Sequence, residues 1–578
     1  MPPKNITESV VRELRILVTK SPLFNLFIIF NAFKLVAVHC IMDTYRIDSF
    51  IVIILSEYML SSFLYSFLPV IIGGRWLLTL FYLAQVLYIV VSITYNLIYS
   101  SNIHIEIAST LLWEFRSVYT EALSWELAIS LLVALIDLPL FFKLFREFAT
   151  VKRMVTCDSG LSFRHLAGGL VLLLLVITSV NAYEFVQSGE SPADVKTIEN
   201  YSLHHYGMFA GNYLELYHYR NAKESIHKLN YGRQNNAAII TGTKRKEMEI
   251  PSFFLIQVES LDANIINQTW HGRYVTPFLN KLSKSSLYFP YTLSYHLAGG
   301  TSDTEMTILN NTEPLSDTPT ISINNYSFPN SLPRILKNNG VSVNGFHGNI
   351  GEYYNRNIAY SAMGFDILYD QSRMRLESEG WGVSDGKVFN FALNKLAKGT
   401  KPYFNYIITM SSHEPFRNVY NYYKTDRYND VEPAKTRDYF VSVEYVDSML
   451  ESLVTQIRRR RPNTYIYIFG DHTPYVLTRG AFKIASFDLD NKKLEFVPLF
   501  IITPDGRKRR ENLLATSFLD IAPSILNVSN ANYKYSAMGE NLLGSFGQRQ
   551  IPFKGKNYDR RDLFELAKRT TQMNRNQE

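Results

Sequence analysis

Apolar positions follow two regimes along this chain, and the change falls near residue 185. Before it, long apolar runs near 21–43, 48–73, 76–99, 125–146 and 166–185 alternate with short polar loops. A bilayer core takes roughly 20 apolar residues in helical form, so the runs predict a membrane domain over 1–185 with five transmembrane helices. The first run is followed at once by a second, which is not how a cleavable leader is built. Beyond 186, charges and turn residues return and the apolar segments shorten, as in a water-soluble protein.

The 186–250 stretch is polar and aromatic without a period. It reads as a linker with helical pieces, one over 205–219, and Lys244-Arg245-Lys246 comes near its end. From 251 the pattern changes again. Short β-rich runs at 253–258, 341–346, 403–409, 464–469 and 496–502 alternate with helical segments such as 331–338, 438–459 and 518–526. That alternation predicts an α/β domain over 251–550 with a largely parallel central sheet, because the strand runs are apolar enough for burial on both faces. Residues 551–578 are charged and read as a tail carrying a surface helix.

Charge gives the membrane part a direction. Lys4, Arg12, Arg15 and Lys20 precede the first run, Arg75 lies between the second and third, and Lys143, Arg146, Lys152, Arg153 and Arg164 surround the fourth loop. The 101–124 loop carries Glu106, Glu114 and Glu121 against Arg116. The positive-inside rule then places the N-terminus in the cytoplasm and everything after 186 outside, in a bacterial inner membrane. The 2 cysteines, Cys40 and Cys157, both precede the exported domain, which must therefore fold without disulfides. Lys34, His39, Glu57 and Asp137 are ionisable residues within the runs, and pairing of Lys34 with Glu57 or burial in the bundle is the simplest reading. Arginines at 458–461 and 507–510 read as a solvated helix end and a loop, with anionic lipid heads as the alternative.

Four of the predicted strands end in residues capable of chemistry. The 253–258 run leads into Glu259, and 341–346 leads into His347-Gly348-Asn349. The 403–409 run leads to His413, and 464–469 to Gly470-Asp471-His472. Ligands of open α/β sheets bind beyond the carboxyl ends of the strands. Glu259, Asp471 and His472 together mix oxygen and nitrogen donors, a set that suits Mn²⁺ or Zn²⁺ better than Ca²⁺. In Gly299-Gly300-Thr301-Ser302-Asp303-Thr304-Glu305, Ser302 and Glu305 stand at capping-box spacing and predict a helix start. A helix N-terminus favours phosphate, and the glycines allow close backbone approach. Thr301 stands there as a nucleophile that a metal held by Glu259, Asp471 and His472 would activate.

These motifs resemble the sulfatase/alkaline-phosphatase superfamily, specifically the lipoteichoic acid synthase-like phosphoglycerol transferases. The resemblance covers about 251–545. It rests on Val258-Glu259-Ser260, Gly300-Thr301-Ser302-Asp303-x-Glu305, Phe346-His347-Gly348-Asn349, Asn355-Arg356, Ser412-His413-Glu414-Pro415-Phe416 and Phe469-Gly470-Asp471-His472. It implies a sulfatase-like fold for the exported domain. Glu259, Thr301, Asp471 and His472 become ligands of one divalent ion, with Mn²⁺ expected and Mg²⁺ or Zn²⁺ as alternatives. Thr301 is also the covalent nucleophile. His347, Arg356 and His413 hold the phosphoglycerol group, and His413 protonates the departing alkoxide. Tyr354 stands where the family has tryptophan and Asn349 where an acidic residue is common, both around the head-group pocket.

The activity so implied is transfer of phosphoglycerol from phosphatidylglycerol to an envelope polymer, glycolipid or glucan, with no nucleic-acid partner. A phosphoethanolamine transferase acting on lipid A and an envelope phosphodiester or sulfate ester hydrolase are the alternatives. A Cys/Ser-x-Pro/Ala-x-Arg motif, needed for a formylglycine sulfatase, is not found around Thr301. An inactive scaffold is disfavoured by the complete ligand set.

Overall fold

The computed structural model describes residues 22–42, 74–99, 125–157 and 237–572, without 298, 316–318, 324–325, 397–400, 475–480, 491 and 511–512, and with isolated positions between 58 and 69. The chain divides into two compact units, Met1–His218 and Tyr219–Glu578.

The first unit contains α1 (Pro22–Met42), α2 (Arg75–Tyr99), α3 (Trp125–Ala134), α4 (Leu138–Arg146) and α5 (Phe148–Cys157). Three stretches, Pro22–His39, Arg75–Thr94 and Leu127–Arg146, are long and apolar enough to cross a membrane. They correspond to the runs at 21–43, 76–99 and 125–146. The run at 166–185, and 48–73 apart from isolated helical positions, lie outside the described residues, so the count of five is not supported here. The third stretch is broken. Pro139 sits in the first turn of α4 and has no N–H to continue the helix, so the chain passes through a turn at 135–137. That turn presents Asp137 to Lys34, whose Nζ lies 2.7 Å from Oδ2 with both side chains fully buried. Lys34 is thus paired with Asp137, while Glu57 lies outside the described residues.

The second unit is built on a sheet of β1 (Ser252–Val258), β2 (Leu287–Leu293), β3 (Ser342–His347), β4 (Ile367–Tyr369), β5 (Tyr403–Ile408), β6 (Thr464–Gly470), β7 (Ser486–Leu489) and β8 (Lys492–Ile502). The order across it is β2, β8, β6, β1, β5, β3, β4, with β7 beside β8 and Arg509–Arg510 beyond β2. Strands β6, β1, β5, β3 and β4 are parallel to one another. Strand β8 runs antiparallel to both β6 and β2, so the sheet is mixed and only its central part matches the parallel expectation. Among the described residues no helix lies between β6 and β8 to carry the chain back across the sheet, as a parallel connection needs, and β8 instead returns antiparallel after its hairpin with β7. Strand β2 escaped the sequence pattern because Pro290 interrupts it. The β2–β8 register shifts between Val497 and Leu499, around Pro498, so two prolines that cannot donate share one irregularity.

Alternate residues of β1 feed opposite faces. Phe253 and Leu255 join one core with α7 (Thr301–Asn310), α8 (Leu332–Asn338), α9 (Arg356–Met363) and α12 (Ile521–Val528). Phe254, Ile256 and Val258 join the other, with α6 (Pro277–Ser285), α10 (Asp385–Leu396) and α11 (Ala434–Arg460). The C-terminal segment is folded onto this unit. A hairpin pairs Ile551–Phe553 with Lys556–Tyr558, and α13 (Arg560–Gln572) sends Leu563, Phe564 and Ala567 into the first core. The end of the predicted linker is also structured, with Ala238–Gly242 pairing antiparallel to Tyr533–Ala537. The arginine runs prove partly structural: Arg458 donates to the carbonyls of Pro462, Thr464, Ile502 and Thr503, Arg460 to Leu393 and Arg461 to Leu396.

Candidate active site

Strand register brings the chemistry to one edge. Val258 pairs with Gly470, and Gln257 and His347 each pair with Ile408, so Glu259, Asp471-His472, His347 and the turn bearing His413 all leave the sheet on the same side. The close approach requires glycine at 470, where a Cβ would collide with the Leu261 carbonyl.

Glu259, Asp471 and His472 are buried, and their ligand atoms lie within 4.8 Å of one another. Each is aimed by its neighbours. Asp471 Oδ1 accepts from the backbone N–H groups of Ser260 and His472, both at 2.8 Å. Glu259 Oε1 accepts from Ser260 Oγ at 2.9 Å and faces His472 Nε2 at 3.2 Å. His472 Nδ1 donates to the Thr473 carbonyl at 3.0 Å, which fixes the tautomer and leaves Nε2 to face the carboxylates.

The electrostatics of this cluster are those of too many acids. Burial and the adjacent Glu259 charge push the Asp471 carboxyl up to about 7. Burial also works to raise Glu259, but the charges of His472 and His413 outweigh it and hold that carboxyl below its ordinary range. His472 is driven well above the ordinary imidazole range, the carboxylates of Asp471 and Glu259 overcoming its burial. Two buried carboxylates facing one imidazole nitrogen form a donor set that fits a divalent cation.

Thr301 begins α7, with Gly300 as the preceding residue at φ 52° and no side-chain cap. The predicted capping box is therefore absent. Ser302 Oγ donates to the Gly299 carbonyl instead, and Glu305 is drawn away into a buried ion pair. Asp303 takes the bracing role: its Oδ2 accepts from the N–H groups of Leu297 and Gly299, both at 2.8 Å, and so closes the glycine turn. Thr301 Oγ1 donates to Glu259 Oε2 at 3.0 Å, placing the hydroxyl against the acidic cluster and at a helix N-terminus together. Gln257 ties the two elements, its Nε2 donating to the Thr301 carbonyl at 3.0 Å. A lone glutamine inside the apolar 253–258 run was the signal that could have found it.

The remaining candidates lie in a second layer. Arg356 is buried, and its fork is engaged: Nε lies 3.1 Å from both Glu305 oxygens and Nη2 lies 2.6 Å from Oε1. Tyr360 OH donates to Glu305 Oε2 at 2.7 Å. Arg356 Nη1 approaches His347 Nε2 at 3.4 Å, and burial together with the Arg356 charge holds the His347 imidazole well below its ordinary range. The rings of Tyr353 and Tyr354 flank the guanidinium at 5.7 and 5.2 Å. Tyr354 has φ 54°, and its OH lies 4.0 Å from where a Cβ on Gly300 would stand, close to the start of α7. Asn349 is buried and its Oδ1 accepts from Ile350 N at 2.8 Å. His413 donates from Nδ1 to the Glu414 carbonyl at 2.7 Å and lies against Trp381 with ring centroids 5.4 Å apart. Its turn is held by Asp385, whose carboxylate accepts from the N–H groups of Met410 and Ser411.

Comparison with known proteins bears on the same domain. The span 251–531 matches the sulfatase family. Lipoteichoic acid synthase 2 of Bacillus subtilis (strain 168) is 28% identical over 352 residues, 58% of this chain and 52% of that protein. Lipoteichoic acid synthase of Staphylococcus aureus (strain USA300) is 27% identical over 328 residues, 53% of this chain and 50% of that protein. The chain thus spans about half the length of the curated relatives it matches. Among solved structures, the integral membrane lipooligosaccharide phosphoethanolamine transferase A of Neisseria meningitidis aligns with a TM-score of 0.54 at 14% identity, over 89% of this chain and 96% of that one, a likeness of fold.

Proposed function

We propose that this chain, which carries a sulfatase-family domain over 251–531, is a membrane-bound transferase that moves a phosphoglycerol group from phosphatidylglycerol to an envelope glycan or glycolipid. The reading includes five membrane spans over 1–185, a cytoplasmic N-terminus, a linker over 186–250 and an extracytoplasmic catalytic domain over 251–550. The observation that carries it is the Thr301 hydroxyl, at the N-terminus of α7 and 3.0 Å from Glu259 in a buried Glu-Asp-His cluster. Lipoteichoic acid synthases among the relatives support phosphoglycerol as the group.

In this mechanism Thr301 Oγ attacks the phosphorus of the lipid phosphodiester. The bond from phosphorus to the diacylglycerol oxygen breaks, and the phosphoglycerol group is left esterified to Thr301. Glu259 Oε2, which already accepts from Thr301 Oγ1, receives the hydroxyl proton. His413 supplies a proton to the departing diacylglycerol alkoxide and, in the second half, takes one from the acceptor hydroxyl as it attacks phosphorus; the bond from phosphorus to Thr301 Oγ breaks and Glu259 returns its proton to Thr301. The α7 N-terminus orients the phosphoryl oxygens, with Arg356 Nη1 and His347 behind it. Glu259, Asp471, His472 and Thr301 would hold one divalent ion, Mn²⁺ by expectation. When bound it would lower the pKa of the threonine hydroxyl and neutralise phosphoryl charge.

The test is incubation of the full-length protein with isotopically labelled phosphatidylglycerol or phosphatidylethanolamine, followed by mass spectrometry of the peptide containing Thr301. The expected result is a glycerophosphate adduct on that peptide, absent from Thr301→Ala. An adduct formed only from phosphatidylethanolamine replaces phosphoglycerol with phosphoethanolamine, and wild-type transfer by Thr301→Ala removes the covalent mechanism.

A further inference from the structure

His296 and Glu495 were singled out by no motif, yet they make a closed circuit with the ligand histidine. Glu495, buried on β8, accepts at Oε2 from His296 Nδ1 and from the Thr473 N–H, each at 3.1 Å. Thr473 is the residue whose carbonyl takes the His472 Nδ1 proton at 3.0 Å. The His296 ring lies stacked on the His472 ring, centroids 4.4 Å apart and planes 22° from parallel. The circuit is anchored at both ends. Lys493 Nζ occupies Glu495 Oε1 at 2.9 Å, leaving Oε2 for the other two bonds. Ser294, two residues before His296, donates from its backbone to the Glu495 carbonyl at 2.9 Å and from Oγ to the Asp471 carbonyl at 2.5 Å.

We infer that His296 and Glu495 are positioning residues for the metal site: they hold the His472 imidazole in plane and in tautomer, and so set metal affinity without touching the ion. The inference rests on the reading of Glu259, Asp471 and His472 as metal ligands. A stacked ring limits rotation about the His472 side chain. The Thr473 N–H bond pins the residue whose carbonyl, in the following peptide, orients Nδ1, so Nε2 is aimed from two directions. Groups that orient a ligating histidine typically contribute about 10–100-fold in metal affinity.

The experiment is calorimetric titration of Mn²⁺ into chelator-stripped, full-length protein in detergent. His296→Phe keeps a flat ring over His472 and removes the bond to Glu495. Glu495→Gln leaves one oxygen to serve Lys493, His296 and Thr473. Each variant is expected to bind Mn²⁺ about 10–100-fold more weakly. The double variant should be no weaker than the poorer single, because the two residues act as one circuit. The unfolding midpoint of the stripped proteins is read alongside, so that a general loss of stability is told apart from a loss of metal affinity. Affinities within twofold of the unaltered protein, with or without a lowered midpoint, reduce the pair to packing and overturn the inference. Should His296→Phe fail to fold, Glu495→Gln decides alone. His472→Ala is the reference: loss of binding there with none in the brace variants sinks only the brace. An unaltered protein that binds no Mn²⁺ sinks the metal reading and the inference with it.

Discussion

In the membrane unit, Lys34 Nζ meets Asp137 Oδ2 at 2.7 Å, Tyr82 OH donates to Oδ1 at 2.9 Å, and Asn31 and Gln85 exchange amide hydrogen bonds at 2.8 and 3.2 Å. In the catalytic unit, the carboxylates of Glu259 and Asp471 face the single imidazole of His472. Both clusters are buried, and both lie among apolar neighbours. The first balances one cation against one anion, and the neutral donors Tyr82 and Asn31 add hydrogen bonds to the anion. The second sets two carboxylates against one imidazole, and burial together with the adjacent Glu259 charge pushes Asp471 up to about 7. Buried charge alone therefore does not mark a site. A balanced cluster joins α1, α2 and the turn before α4, whereas two carboxylates against one imidazole form the donor set that the proposed function assigns to a cation.

The sharpest break in this comparison is neutralising one acid in each cluster. Asp471→Asn removes a proposed metal ligand, and transfer should fall by several kcal/mol of barrier, about 10³-fold or more. The chelated protein should nonetheless become more stable. The folded carboxyl sits at about 7 against an ordinary 3.8, so its ionisation opposes folding as pH rises through that interval. Asparagine removes that penalty, and its advantage should widen from pH 4 to pH 8. Thermal unfolding of chelated protein across that range is the measurement, and a variant less stable than wild type at pH 8 contradicts the charge-excess reading.

The opposite outcome is expected at Lys34. Lys34→Met strands Asp137 without its counter-charge, and breaking a buried pair in this way costs about 3–5 kcal/mol. Adding Asp137→Leu should return stability to within about 1 kcal/mol of wild type, because a pair replaced by apolar residues of similar size is close to neutral. Denaturant titration in detergent, followed by a probe in the membrane unit, reads both. A double variant as unstable as the single would mean that the cluster does more than balance itself.

The convergence of strand ends was legible because the chemistry lies in consecutive residues. Glu259, His347 and Asp471-His472 each follow an apolar strand run directly, and local pattern locates them. What escaped depended on partners far along the chain. Glu305 stands three residues after Ser302, the capping-box spacing, but Arg356, 51 residues away, provides a buried guanidinium that outcompetes a backbone N–H. The direction of β8 was hidden for a related reason: an apolar run buried on both faces looks the same in either direction. His296 and Glu495 belong to no motif in the sequence and acquire a role only when β2 and β8 lie side by side.

Arg356 refines the comparison from within the catalytic unit, because it is a balanced pair placed beside an unbalanced cluster. Its Nε and Nη2 are committed to Glu305, which leaves Nη1 toward His347. Arg356→Lys loses the fork, so the expected effect is a loss of about 2 kcal/mol of stability together with a fall in transfer that is alike for every donor. Donor-independent loss of kcat/KM with a lowered unfolding midpoint agrees with this. A change in donor preference would place the guanidinium against the head group instead.

The smallest expected effects belong to Asn349 and Tyr354, which belong to neither kind of cluster. Asn349 uses Oδ1 to accept from Ile350 N, so the side chain presents its amide donor away from that bond. Asn349→Asp keeps the Ile350 bond and exchanges the donor for a second acceptor. Tyr354 lies beneath the Arg356 guanidinium with its OH near Gly300, and Tyr354→Phe keeps the ring while removing the hydroxyl. Each change gains or loses about one hydrogen bond to a head group, roughly 1 kcal/mol, or about fivefold. In a competition between phosphatidylglycerol and phosphatidylethanolamine, Asn349→Asp should change the ratio between the two donors, because a carboxylate accepts from a glycerol hydroxyl and attracts an ammonium but no longer donates. Tyr354→Phe should lower phosphatidylglycerol use more than phosphatidylethanolamine use, since a phenol O–H both donates to and accepts from a glycerol hydroxyl but only accepts from an ammonium. Total transfer with the best donor should change little in either variant. If both variants lower all donors equally, these residues shape the nucleophile's surroundings rather than the head-group pocket, and donor choice must be sought elsewhere along the edge of the sheet.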